Sequence, residues 1–155
     1  MTAPAFASAT FPVMHIRSDL LGDLEATEEQ LVEFPAGIFG FPECRRFVLL
    51  PGARDGTYWL QSAEHSALAF LLVDPFAYVP GYVVELPPGE LHELQVTPGT
   101  EVAILCIVTL PRQRDERATA NLQGPLALNL AARVGKQIVI PESPWGVREA
   151  IDLQR

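Results

Sequence analysis

Glu101-Val-Ala-Ile-Leu-Cys-Ile-Val-Thr-Leu110 is the stretch that decides the fold. Both alternating sets of its side chains are apolar, so a strand here has to be covered on both faces. Leu68-Ala-Phe-Leu-Leu-Val73 has the same character and stops at Asp74-Pro75-Phe76, where proline has no N–H to give a ladder. Shorter extended candidates surround these two: Met14–Arg17, Leu20–Leu24, Gln30–Phe34, Arg46–Leu50, Thr57–Ser62, Tyr82–Leu86, Leu122–Leu130 and Gln137–Ile140. The Glu64-His-Ser66 link suggests a hairpin between Thr57–Ser62 and Leu68–Val73, and the polar Arg133–Lys136 run reads as the connection between the last two candidates. Turn signals recur every eight to twelve residues or so, the signature of an antiparallel barrel or sandwich. Two strands covered on both faces favour closure. The expected fold is all-β, mainly antiparallel: a small closed or partly open β-barrel with one or two short helical turns.

Pro87–Leu94 supplies such a turn, with Leu91 and Leu94 on one face. Thr27-Glu-Glu-Gln30 has the form of a capping box, but Pro35 follows too soon for a normal helix and the strand from Gln30 is preferred. At 155 residues the chain is most simply one domain over 14–150, behind a flexible leader over 1–13 rich in Ala, Pro, Ser and Thr. Hydrophobic residues make up 48% and charged ones 19%, which is globular composition. No apolar run approaches the ~20 residues that a bilayer helix needs, so no membrane partner is expected. The leader has no basic residue and does not read as a secretory signal. Cys44 and Cys106 show no C-x-x-C spacing and are expected as reduced, buried thiols in a cytoplasmic protein.

Charge is the most informative bulk property. A formal net charge of −8 and a pI near 4.8 argue against direct binding of nucleic acid, which needs a basic footprint. Ser18–Cys44 and Asp55–Pro111 contain no Lys or Arg, whereas basic residues gather at Arg45, Arg46 and Arg54 and again from Arg112 to Lys136. Most of the acids are solvated surface; the sharper alternative is an acidic face that meets a basic partner or repels RNA.

No catalytic constellation is visible. His15, His65 and His92 are isolated and belong to no metal-ligand spacing, and no nucleophile elbow, phosphate-cradling loop or dinucleotide fingerprint occurs. The expectation is no enzyme, no cofactor and no metal. A small-molecule-binding or hydrolytic barrel using acidic residues such as Asp74 and Glu85 stands as the alternative.

Two stretches invite a partner. In Pro35-Ala-Gly-Ile-Phe-Gly-Phe-Pro42, Ile38, Phe39 and Phe41 look exposed and either cap the barrel or are offered to another protein. In Thr119–Asn129, the amides Asn121, Gln123 and Asn129 sit among aliphatic residues around Gly124-Pro125. A buried amide without a partner costs roughly 1–3 kcal/mol, so these either brace a bend or face something wet.

Taken together, these motifs resemble the FliW flagellar assembly factors of bacteria. The resemblance runs from about Gln30 to Arg148 and is carried by Phe34–Pro42, Ala69–Phe76, Glu101–Thr109, Thr119–Asn129 and Gly135–Ile140, in that order and spacing. The chain departs from the family pattern in its leader, at Gly124 in place of alanine, and at Trp145-Gly146 in place of a tyrosine-led turn. The resemblance implies a barrel-like β fold without catalysis and two protein partners, the RNA-binding translational regulator CsrA and cytoplasmic flagellin. Free protein would sequester the regulator and relieve its repression of flagellin translation, and accumulated flagellin would compete for it. The partner-binding residues expected on this basis are Ile38, Phe39, Phe41, Glu64, Asp74, Phe76, Glu85, Asn121 and Gln123.

Overall fold

The computed structural model describes residues 13–154; the expected leader falls almost wholly outside them. β4 (Arg46–Pro51), β5 (Thr57–Ser62), β6 (Ala69–Val73) and β7 (Ala103–Thr109) run antiparallel in succession. β3 (Leu31–Glu33) adds to β4, and β10 (Val134–Gln137) lies parallel to β3. β10 pairs with β9 (Leu126–Asn129), and β9 returns to β7 through Ala103↔Leu128, Ile104↔Ala127 and Leu105↔Leu126. These seven strands close into a barrel. The expected all-β fold is the one observed.

Closure explains the apolar runs. Phe34, Phe47, Leu60, Leu72, Leu105, Leu126 and Leu128 fill the interior, and each such side chain removed from water contributes about 1.5–3 kcal/mol. Phe34 meets Phe47 edge to face, with centroids 5.4 Å apart. The other face of β7 is covered as well: Cys106 and Val108 pack with Val73, Tyr82, Leu122 and Ile151. Both cysteines are free and buried, as expected.

β1 (Val13–Ser18) and β2 (Gly22–Thr27) form a separate hairpin. Ile16 and Ala26 lay it on Val48 of the barrel wall, and the Asp19 N–H donates to the Ser66 carbonyl at 2.9 Å. The expected strand over Leu20–Leu24 is displaced, because Leu20 and Leu21 sit in the turn that Gly22, at φ 82°, closes. The capping pattern at Thr27 does form: the Gln30 side chain accepts the Thr27 N–H at 3.0 Å over a single 3-10 turn, Glu28–Gln30, and the strand follows directly.

Three other expectations change. Leu122–Leu130 is not one strand. β8 (Thr119–Ala120) and β9 both pair with β7, but Val108 opposes Ala120 while Leu105 opposes Leu126. The surplus residues between them bulge out as Asn121–Pro125. The final barrel strand begins at Val134 rather than Gln137, so most of the expected connection is strand. Gly135 lies against the Phe34 ring, and Lys136 reaches outward to Glu90 and Glu93. Tyr82–Leu86 forms no strand, because no other segment pairs with it.

Helix α1 (Pro75–Tyr78) is capped by Asp74, whose Oδ1 accepts the Phe76 N–H at 2.9 Å. Helix α2 (Pro88–Glu93) falls where the helical turn is expected. Asn129 Nδ2 donates to the Leu94 carbonyl at 2.9 Å and fastens the end of α2 to the barrel. The short β11 (Glu149–Ala150) closes the chain against β8. Among the described residues, no helix is long and apolar enough to cross a membrane.

Candidate functional site

An open groove of about 470 Å³ lies between two segments outside the sheet, Tyr82–Pro88 and Ile140–Trp145. Leu122, from the bulge between β8 and β9, also lines it. Tyr82 anchors the first segment: its hydroxyl donates to the Leu122 carbonyl at 2.9 Å, and burial pushes its phenol well above the ordinary tyrosine value. Cys106 lies beneath it, its thiol pushed up to about 12 by burial. The second segment is tied down by the Ile140 N–H donating to the Gln123 carbonyl and the Leu122 N–H donating to the Gly146 carbonyl. Aromatic rings run across this end of the molecule, Phe76 to Tyr82 at 5.4 Å and Tyr82 to Trp145 at 5.5 Å.

Along Val83–Leu86 the side chains alternate out and in. Val83 (74% exposed) and Glu85 face solvent, whereas Val84 and Leu86 are half-buried against the two apolar clusters behind. The backbone of these four residues makes no hydrogen bond with any other described residue. Acidic Glu85 and Glu142 line the groove and no basic residue does.

The structure gathers five of the nine expected partner residues around this end. Glu85 lines the groove, Phe76 packs at a tilt against Tyr82 with half its surface exposed, and Asp74 caps the helix that carries Phe76. Asn121 and Gln123 flank Leu122. Asn121 Oδ1 accepts the Gly124 N–H at 2.9 Å and so braces the bulge. The Gln123 side chain is half-buried and makes no hydrogen bond among the described residues.

The other four lie elsewhere. Ile38, expected to look exposed, is buried in the barrel core, and Phe41 packs half-buried on Phe70 at 5.6 Å. Gly37 at φ 71° and the Ile38↔Phe41 bridge fold the loop back so that these two side chains plug the barrel. Phe39 alone projects, 60% exposed. Glu64 accepts the N–H groups of Arg45 at 2.7 Å and Arg46 at 2.9 Å, and these two bonds hold its carboxyl below the ordinary value.

Sequence reasoning missed Val84, Leu122, Ile140 and Trp145 as groove walls, and Gln137 as a brace. Gln137 Nε2 donates to the Gly124 carbonyl at 3.0 Å, while its Oε1 accepts the Phe39 N–H at 2.9 Å. One amide thus joins the bulge to the Phe39 loop. The signal available in the sequence was the alternating run Tyr82–Leu86 between Pro80-Gly81 and Pro87-Pro88, a strand pattern with no evident mate.

Residues 15–151, the whole barrel with its hairpin and groove, match the family described as FliW protein. This chain belongs to the FliW family. The flagellar assembly factor FliW of Geobacillus kaustophilus is 38% identical over 138 residues, covering 89% of this chain and 95% of that one. That of Natranaerobius thermophilus is 34% identical over 139 residues, covering 89% and 92%. A crystal structure of a flagellar assembly factor FliW superposes with a TM-score of 0.81 at 35% identity, over 88% of this chain and 96% of that one. The FliW resemblance seen in the motifs therefore extends to the fold and to nearly the full length. Among the described residues no group of three or more His, Cys, Asp or Glu is placed to hold a metal ion, and the groove walls of this FliW-family chain are mostly apolar and proline-rich, with Glu85 and Glu142 as their charged residues.

Proposed function

We propose that this FliW-family protein is a non-catalytic regulator of flagellar assembly in the cytoplasm. It binds the translational regulator CsrA, relieves repression of flagellin translation, and exchanges the regulator for flagellin as flagellin accumulates. The observation that carries this reading is the family match across residues 15–151 to flagellar assembly factors. Charge supports it: a body of net −8 suits a partner whose RNA-binding surface is basic. The acids do not all have the same freedom. Glu64 and Asp74 are committed to backbone N–H groups, whereas Glu85 and Glu142 are exposed and form no hydrogen bond or ion pair among the described residues.

The test is a three-component competition with purified protein, the CsrA-type regulator and flagellin from the same cells. The regulator should bind, a flagellin leader transcript should leave the regulator as it does so, and added flagellin should restore RNA binding. Absence of a complex with either protein overturns the proposal.

A further inference from the structure

The groove has a chemistry that neither the fold nor the family match accounts for. Val83–Leu86 presents four successive peptide units whose N–H and C=O groups bond to nothing else described, in a segment whose side chains already alternate as a strand's do. An isolated exposed apolar patch would suit many occupants. A row of unsatisfied backbone donors and acceptors suits another backbone, because only a second extended chain matches their spacing. The segment is protected from indiscriminate pairing by its shortness, by Glu85, and by Pro87-Pro88 at its end. The groove beside it supplies the second half of a peptide site, apolar surface on Ile140 and Trp145 for alternate side chains. Its two charged lining residues, Glu85 and Glu142, are both acidic.

We propose that Val83–Leu86 is an acceptor edge for strand addition: an extended segment of a partner protein, alternating apolar and basic residues, pairs with this backbone and lies in the groove. Its apolar side chains face Ile140 and Trp145, and its Lys or Arg side chains face Glu85 and Glu142. This deepens the proposed regulator-binding function by naming the surface and the chemistry of the bound segment, and it rests on the protein acting as a protein binder.

The probes are two synthetic octapeptides, alternating Lys-Val and alternating Glu-Val, each titrated by fluorescence anisotropy, with amide exchange followed residue by residue by NMR. The Lys-Val peptide should bind at least about tenfold more tightly than the Glu-Val peptide, and Glu85→Lys should cut its affinity at least about tenfold, since reversing one charge turns an attraction into a repulsion of similar size. Glu85 is exposed and unbonded, so the variant should melt with wild type. On saturation, one alternate pair of amides, Val83 with Glu85 or Val84 with Leu86, should slow in exchange. Equal affinity for the two peptides, or unchanged exchange across all four amides, overturns the proposal. The same exchange measurement with the regulator and with flagellin separates the two levels. A regulator that binds and leaves these amides unchanged overturns strand addition while the regulatory function stands. Protection by the Lys-Val peptide with no binding of either partner supports the edge and removes the function proposed for it.

Discussion

Gly135 sits in β10 directly against the buried Phe34 ring, and a Cβ built there would meet ring atoms at 2.7, 2.9 and 3.1 Å. Phe34 is wholly buried and cannot swing aside. Gly135→Ala should therefore destabilise the fold by about 1–3 kcal/mol, the usual cost of overpacking, seen as a lower denaturant midpoint with an unchanged slope. A shift under about 0.5 kcal/mol would mean that the ring relaxes into space the packing does not suggest. Gln137, two residues on, does the opposite kind of work. Its amide satisfies the Gly124 carbonyl and the Phe39 N–H together. Gln137→Leu leaves both without this partner and should cost about 2 kcal/mol, with faster exchange of the Phe39 amide as the specific sign. Unaltered Phe39 exchange would refute the brace. At this scale the sequence was only partly legible. Polar residues in an apolar run mark Asn121, Gln123 and Asn129 as needing partners, and for Asn121 and Asn129 the structure supplies them. Gln137 carries no such mark, because its two partners are distant in sequence and only barrel closure brings them within reach.

Elements whose hydrophobic pattern was continuous were the easy ones to read. β7, β6, β5 and β4 fall where doubly apolar or alternating runs place them, each ended by Pro, Gly or a short turn. β10 was misplaced because its centre is Gly135 and Lys136, residues that weaken any strand signal. The glycine is required by Phe34 and the lysine by the carboxylates of α2, both tertiary reasons. Tyr82–Leu86 carries a correct alternation without pairing, since alternation reports a half-buried extended chain and says nothing of a neighbour. The ends of elements also depend on charge. Glu64, in the turn after β5, accepts the N–H groups of Arg45 and Arg46 where β4 begins, and those bonds lower its carboxyl from the ordinary 4.5. A carboxyl lowered in the folded state binds its proton more readily when unfolded. Its stabilisation is therefore complete above the unfolded value and is lost as pH falls through the folded one. Glu64→Gln should accordingly be less stable than wild type at neutral pH, by no more than about 1 kcal/mol for so exposed a group. The difference should shrink as pH drops below about 4.5. Thermal melts from neutral pH to pH 3 measure it, and a gap that widens in acid would contradict the assignment.

For the whole molecule the deciding quantity is the field. Under the proposed function, a net charge of −8 on a barrel this small would act on an RNA-bearing partner in proportion to the acids within a Debye length of the phosphates, about 10 Å at 0.1 M salt and about 3 Å at 1 M. Single exposed charges are weak, ~1 kcal/mol at 4 Å in water, and only several acting together would displace RNA. Acids that hold the fold together make poor probes of this, because reversing Glu64 or Asp74 removes a strand-end or helix cap as well as a charge. Glu85 and Glu142 are free of such duties and flank the groove. The double variant Glu85→Gln, Glu142→Gln should fold with wild-type stability and, with saturation of the regulator checked at each salt concentration, should release RNA less completely than wild type at about 0.1 M salt. The difference should close towards about 1 M, where the field is screened within a few ångström. A salt-independent difference would place the effect in contact geometry, with the acids acting through the groove they line and not through the field of the molecule.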